Sequence, residues 1–431
     1  MTKRMLSAVL LLIVFALPAG CQKQGGEPTQ PTAPAPTVLS TPSPTPEPTP
    51  TPDPAAERLA GMTVEQKAAQ LLVAGIEGTE PGEDAAQAVQ GYQVGGVILF
   101  GRNVESAEQL AALTNGLKEL NGDYTPLFLC VDQEGGRVDR MPPEVSRTPS
   151  AWRVGQAMAR GTAGAEYGVL LAEECAAFGF NMDFAPSLDI WSNPDNTVIG
   201  DRAFGSDWEW VTDFGFRAVE AMAERGDVIP VVKHFPGHGD TAVDSHTALP
   251  VVDKTLEELW QSELVPFDMV LSGQFWGEPV MEPTPAVMVA HILLSQIDPD
   301  NPASLSPEVV TGLLREEMGY EGVVCTDDLT MGAISNTYGM GEAAVLAVEA
   351  GCDLLLVCHG ADNLAEAHAA LVEAVDSGRI PEERLDESVY RVLSLKAVYG
   401  LSNAPVEAPD IEALNDRIAA LERSIEADTS Q

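Results

Sequence analysis

The chain has 431 residues, enough for one large domain or two ordinary ones, and 45% are hydrophobic, enough for a sizeable buried core. It carries 65 acidic against 24 basic residues, a formal net charge of −41. Such a surface repels anionic polymers and anionic membranes, which argues against a nucleic-acid partner.

The first residues read MTKRMLSAVLLLIVFALPAGCQ. Lys3 and Arg4 precede an apolar run, Leu6 to Leu17, that is too short for a comfortable membrane span. With Cys21 after Pro18, Ala19 and Gly20, residues 1–21 resemble a bacterial lipoprotein signal, cut before a lipidated Cys21. The expectation is an exported protein tied to the cell membrane by its lipid alone. Pro18 departs from the leucine usual at that place, and an ordinary secretory signal is the alternative. Residues 22–54 are rich in proline and threonine and poor in apolar side chains, which predicts an extended, semi-rigid tether.

Order is expected from about residue 55. Thr63 and Gln66 have the spacing of a capping box that starts a helix. Eight short apolar runs follow, at 71–76, 94–100, 127–132, 181–186, 228–235, 286–292, 322–328 and 352–358. Helical patterns lie between them, such as SAEQLAALTNGLKEL and WEWVTDFGFRAVEAMAER. Near-continuous apolar strands joined by helices predict a parallel sheet covered on both faces. Eight such units predict an α/β fold, a (β/α)8 TIM-type barrel over residues 55–402, with a doubly wound open sheet as the alternative. Residues 403–431 read as a peripheral helical tail with a frayed end. GQFWGEPVMEPTP, 273–285, reads as an inserted loop, either a substrate-facing lid carrying Phe275 and Trp276 or a surface decoration. Cys130, Cys175, Cys325, Cys352 and Cys358 sit mostly in apolar runs without a CxxC pair, which predicts buried thiols rather than a disulfide or metal framework.

Polar residues collect at the predicted strand ends: Asp132, Lys233, His234, His291, Asp327 and Asp328. In this barrel class the C-terminal ends of the strands carry the active site. The densest stretch is KHFPGHGDTAVDSH, 233–246, with three of the six histidines of the chain. His234 and His238 at i, i+4, with His246 and two aspartates, have the makings of a zinc site. Pro236 and Gly237 between them argue against the helix that would align them.

Taken together, VDQEGGRVDRM (131–141), NMDFAPSLDI (181–190), VIGDRAFG (198–205), VVKHFPGHGDTAVDSHTALP (231–250), VMVAHI with PASLS, and VVCTDDLTMGAI (323–334) resemble glycoside hydrolase family 3. The likeness is greatest to the β-N-acetylhexosaminidase branch and runs, in family order, from about residue 58 to 400. It implies the same barrel fold, no metal or organic cofactor, and a carbohydrate substrate. The activity it implies is retaining exo-β-N-acetylglucosaminidase, acting on N-acetylglucosamine-containing glycans such as peptidoglycan fragments. A monomer is expected.

The resemblance assigns the nucleophile to Asp327, the first aspartate of TDDL. Asp328 competes for the role, but alternation along a strand would turn it to the other face. The acid/base is implied to be His246 with Asp244 beside it in DSH. A histidine titrates near neutrality, and a neighbouring carboxylate can fix its tautomer. Gly237 and Gly239 are expected to let that loop bend. Asp132, Arg140, Arg202, Lys233 and His234 are implied to bind the sugar, Asp132 as acceptor and the others as donors. His238, Asp240 and His291 are expected to shape the loop and the surroundings of the site. Trp191 and Trp276 are candidates for stacking on sugar, though single tryptophans more often pack. A phosphorylase or a β-glucosidase of the same family is the nearer alternative. The latter generally takes its acid/base from another domain, which this chain does not carry. A catalytically dead, surface-anchored sugar-binding barrel is the alternative of another class.

Overall fold

Eight parallel strands close into a barrel, and each falls within one of the eight apolar runs: β1 Leu72–Gly75, β2 Gly96–Ile98, β3 Phe128–Val131, β4 Met182–Asp183, β5 Ile229–Phe235, β6 Ala286–Val289, β7 Val324–Asp328 and β8 Leu354–Val357. The computed structural model describes residues 53–429 except 158–159, 242–248, 276–277, 280 and 282–283. β1 pairs with both β2 and β8, so the sheet has no edge. The order around it is β1-β8-β7-β6-β5-β4-β3-β2, each strand beside its sequence neighbour.

Alternation divides the core in two. Phe128 and Cys130 of β3 point into the barrel with Val73, Met182, Ile229, Val231, Met288 and Cys325. Leu129 and Val131 point outward, under the helices. The outer ring includes Ala107–Asn121, Arg160–Ala177, Trp208–Arg225, Met340–Ala350 and Ala361–Asp376. The helix Val64–Gln70 begins with the capping box of Thr63 and Gln66. The five cysteines of the described residues are free and buried.

Two strands slip at their C-terminal ends. Between Val232 and Phe235, β5 advances three residues against two of β6, Val287 to Val289. Between Cys325 and Asp328, β7 advances three against two of β8, Leu354 to Leu356. A bulge of this kind bends a strand and re-aims its side chains. Thr326 closes the gap it leaves, since its Oγ1 accepts the Leu356 N–H at 3.2 Å.

The tail carries the expected peripheral helix, and its last two residues lie outside the described ones. Helix Ile411–Thr429 packs on Arg160–Ala177 and buries Leu414, Ile418, Leu421 and Ile425, one stripe at helical spacing. Ahead of it, Val406 is tied by both backbone polar groups to the Asn115 amide, at 2.8 and 3.0 Å. Of the two readings of the inserted loop, its place fits the surface decoration and not the lid. It precedes β6, and loops that precede a strand lie at the N-terminal end of the barrel, away from the active face. Its Phe275 packs on Phe216, 4.7 Å between centroids, under the Arg217 guanidinium at 4.4 Å, outside the barrel. Trp276 lies outside the described residues.

The N-terminal end of the barrel is plugged by Lys396, which is 4% exposed. Its ammonium donates to Gln70 Oε1 at 3.0 Å and to the Gly95 carbonyl at 2.8 Å, and stands 4.6 Å from the Phe128 ring centre. Burial lowers its pKa to about 7. The unfolded chain holds this proton to about 10.4, so between those values unfolding takes up a proton and this lysine makes stability rise with pH. Denaturant unfolding of the parent and Lys396→Met at pH 7 and pH 9 should show the parent gaining on the variant, by up to about 1.4 kcal/mol per pH unit. A pH-independent difference would contradict this placement of the charge.

Candidate active site

The cavity at the C-terminal mouth of the barrel has a volume of about 220 Å³. Asp132, Arg140, Arg202, Lys233, His234 and Asp327 all border it, so six of the sequence-predicted residues meet in one place. Each leaves a strand end or a loop at the same end of the barrel. Asp132 follows Phe128 and Cys130 in phase, and Lys233 follows Ile229 and Val231. Asp244 and His246 lie outside the described residues, as does Cys21.

The cavity floor is an ion cluster centred on a residue that motif reading passed over, Glu134. Arg202 grips it with two donors, Nε to Oε2 and Nη2 to Oε1, both at 2.8 Å. Lys233 Nζ lies 2.6 Å from Glu134 Oε1 and 2.6 Å from Asp132 Oδ1. Glu134 is 2% exposed and Lys233 1%. Burial opposes ionisation of Glu134, but Arg202 and Lys233 outweigh it and hold its carboxyl far below the usual carboxylate range. Burial likewise opposes the charge on Lys233, and Asp132 and Glu134 carry its pKa above the ordinary lysine value. Glu134 stands two residues beyond Asp132, in phase with 128, 130 and 132, which was its one signal in the sequence.

Arg140 differs from the other two cations. Among the described residues it has no carboxylate partner, and its buried Nε has no hydrogen-bond partner. Among the described residues its side chain donates only to the Asp139 carbonyl, from Nη1 at 3.4 Å, so it has donors to offer a ligand.

A second missed carboxylate, Asp189, orders His234 and the loop beyond it. Asp189 Oδ2 is 2.6 Å from His234 Nδ1, and Oδ1 accepts the His238 N–H at 2.6 Å. Burial opposes its ionisation, and His234 and His238 reverse that, so its pKa falls below the usual range. His234 Nε2 faces Arg202 Nη2 at 3.2 Å. A carboxylate only accepts and a guanidinium only donates, so the proton belongs on Nδ1 and Nε2 is the acceptor. His234 was expected to donate to sugar; both of its nitrogens are engaged, and it steadies Arg202 instead. A guanidinium against Nε2 also opposes a metal there. Among the described residues no group of three His, Cys, Asp or Glu side chains is arranged to hold a metal ion.

Asp327 and Asp328 divide by their partners rather than by face. Because β7 slips, both border the cavity, which corrects the expected alternation. Asp328 is consumed: Oδ1 accepts the N–H groups of Thr330 at 2.9 Å and Cys358 at 3.1 Å, and Oδ2 accepts the Thr330 hydroxyl at 2.5 Å. Asp327 accepts the Asp328 N–H through Oδ1 at 2.8 Å. Burial opposes its ionisation, but His291, His234, that N–H and Lys233 outweigh it and lower its pKa below the ordinary value. It is a carboxylate at neutral pH. His291 braces the strand tip, with Nε2 3.0 Å from the Asp328 carbonyl and Nδ1 2.7 Å from the Ser304 hydroxyl. Burial lowers its pKa, against the pull of Asp327 and Asp328 in the other direction.

The glycines of the loop after β5 hold it rather than free it. A Cβ on Gly239 would fall 1.7 Å from the Ile190 carbonyl oxygen, so only glycine permits that approach. Gly237 has φ 128° and a Cβ there would meet Glu263 at 2.8 Å. His238 is buried, with Nδ1 2.8 Å from Thr241 Oγ1, and Asn196 Nδ2 donates to its carbonyl at 2.8 Å. Asp240 pairs with Lys254 at 3.1 Å. Trp191 packs edge-on against Trp152, 5.0 Å between centroids, and does not border the cavity.

Residues 63–395 match the family model described as glycosyl hydrolase family 3 N terminal domain. The chain is 33% identical over 349 residues to the Beta-hexosaminidase A of Pseudoalteromonas piscicida, an alignment covering 74% of this chain and 56% of that one. It is 39% identical over 293 residues to the Beta-hexosaminidase of Alkalilimnicola ehrlichii, covering 67% and 80%. The chain therefore spans little more than half of the first relative's length. Among solved structures, a glycoside hydrolase family 3 beta-N-acetylglucosaminidase from Paenibacillus sp. str. FPU-7 superposes with a TM-score of 0.78 at 41% identity, covering 84% of this chain and 69% of that one.

Replacing Glu134 by Gln leaves Lys233 and Arg202 with one buried counter-charge fewer. Breaking a buried ion cluster from one side costs about 3–5 kcal/mol. Urea unfolding of Glu134→Gln should show a loss of that order, and a loss below about 1 kcal/mol would contradict the central place given to this carboxylate.

Proposed function

The chain belongs to glycoside hydrolase family 3, and from that membership we propose that it is a retaining exo-β-N-acetylglucosaminidase, removing terminal β-linked N-acetylglucosamine, with peptidoglycan fragments as the natural source. The observation that carries this reading is Asp327, an ionised strand-tip carboxylate facing a small cavity that Arg140 and Asp132 also line.

In this reading Asp327 attacks the anomeric carbon as the glycosidic bond breaks, and His246 gives its proton to the departing oxygen. The glycosyl–Asp327 ester is then cleaved by water, whose proton returns to His246, so the enzyme is regenerated with the β-configuration kept. Asp244 orients the His246 imidazole and balances its charge, the part an aspartate has in hydrolase triads. Arg140 holds the hydroxyls of the ring, and Arg202, Lys233 and Asp132, paired with one another and with Glu134, frame it. Asp328 has no step, since its oxygens already bind Thr330 and Cys358.

We further propose that the enzyme works outside the cytoplasmic membrane, anchored through a lipid on Cys21 by the tether of residues 22–54. The basic residues, short apolar run and cysteine at 3–21 support this.

Two substitutions test the assignment, with chromogenic β-N-acetylglucosaminides as substrates. Asp327→Asn should lower kcat by at least about 10³-fold, the scale of losing the attacking group. His246→Ala should slow a poor leaving group by about 10²–10⁴-fold and spare a highly activated one, because only the former needs the proton. Equal loss on both leaving groups would contradict the acid role of His246. Release of sugar 1-phosphate when phosphate is added would replace hydrolysis by phosphorolysis.

A further inference from the structure

The helix Arg160–Ala177 packs on β4 from outside the barrel and sends one carboxyl, Glu174, into the back of the cavity wall. Glu174 is wholly buried, and among the described residues no cation pairs with it; its partners are the Gln133 amide and the Thr148 hydroxyl. We propose that Glu174 is a positioning residue for substrate: acting through Gln133, it sets the Arg140 backbone and holds the strap of residues 132–140 that carries Asp132, Glu134 and Arg140. The inference rests on the glycosidase reading for its kinetic consequence and on geometry for its structural one.

The hydrogen bonds leave Gln133 no choice of amide orientation. The Arg140 N–H can only donate, so the Gln133 oxygen accepts it, at 2.8 Å. Gln133 Nε2 then faces Glu174 Oε2 at 2.8 Å and requires an acceptor there. The second carboxyl oxygen meets Thr148 Oγ1 at 2.6 Å, and a hydroxyl can donate to a carboxylate or accept from an acid. Thr148 also binds the strap directly, its carbonyl accepting the Gly136 N–H at 2.8 Å. Gly135, with φ 69°, lies so close that a Cβ would come 2.6 Å from the Pro149 carbonyl oxygen. The strap is thus pressed on Thr148 and latched by Gln133, and Glu174 holds both.

Burial raises Glu174 to about 8, more than the bonds from Thr148 and Gln133 lower it, and the charges of Asp139 and Glu173 add to the rise. Its folded pKa lies above the unfolded value near 4.3, so its stabilising contribution is full in acid and is lost as pH climbs from the unfolded value through about 8. Asp183 of β4 meets the same latch, its Oδ1 accepting the Gln133 N–H at 2.9 Å, and burial raises its carboxyl as well. Ionisation of Glu174 places an uncompensated charge behind the strap, relieved by moving the strap, and affinity for the sugar falls.

Hydrogen exchange and kinetics on the full chain test this. Exchange of the free protein, read on peptides covering 133–140, should quicken about tenfold or more in Glu174→Ala. It should keep the parental rate in Glu174→Gln, whose amide offers an acceptor to Gln133 and a donor to Thr148. With a chromogenic β-N-acetylglucosaminide, Glu174→Ala should raise KM about tenfold, the scale of one buried hydrogen-bond partner, with kcat held within about threefold. Glu174→Gln should restore KM at pH 7 and remove the rise in KM above about pH 8. On an Arg140→Ala background, Glu174→Ala should add less than about twofold. Unchanged exchange at 133–140, additive KM effects, or a Glu174→Gln profile that still climbs in alkali overturns the proposal. A parent without turnover counts against the functional reading instead, and exchange still decides the role of Glu174.

Discussion

The mouth of this barrel depends on the buried contact of Glu134 with Lys233 and Arg202. The chain has 65 acidic and 24 basic residues. Even so it gathers Asp132, Glu134, Asp327 and Asp328 around one cavity, with Asp189 behind His234. Carboxylates so close repel one another, and burial makes each charge costlier. The two cations answer this by drawing Glu134 and Asp132 into pairs of 2.6–2.8 Å. Asp189 is answered by His234 and the His238 N–H, and Asp328 by Thr330 and Cys358. What remains among the described residues is one carboxylate, Asp327, kept ionised by its surroundings, and one guanidinium, Arg140, without a carboxylate. Charge neutralisation thereby separates the groups that hold the site together from those that face a ligand.

Geometry reinforces that separation. The slips that end β5 and β7 give the two strands their site residues in adjacent pairs, Lys233 with His234 and Asp327 with Asp328. Thr326 fills the ladder behind the second slip, and His291 braces the carbonyl beyond it. The loop after β5 leaves the barrel over two glycines packed against Ile190 and Glu263, so its base is fixed. A nucleophile must hold its direction while a leaving group departs, and a strand tip clasped on three sides supplies that stiffness better than a loop would.

The eight apolar runs sufficed for the barrel, because a parallel sheet buried on both faces writes each strand as a continuous apolar stretch. Asp327, Asp132 and Lys233 were legible for a related reason: charge at the end of an apolar run is conspicuous. Glu134, Asp189 and Glu174 were not. They lie within loops or a helix, where acidic residues are ordinary, and their roles come from partners 26 to 99 residues away in the chain. The loop glycines were misread because sequence shows that a side chain is absent but not the carbonyl that takes its place. The aromatics of the inserted loop left a lid and a surface decoration open, while its position ahead of β6 decides which end of the barrel it occupies.

The configuration of the first sugar released tests the account most directly. Proton NMR in the first minutes of hydrolysis, before mutarotation, reads the anomeric centre of the free N-acetylglucosamine. Two displacements at Asp327 predict the β-anomer first, with the α-anomer growing in later. An α-anomer at the outset would mean that water, and not this carboxylate, meets the sugar, and would contradict the account.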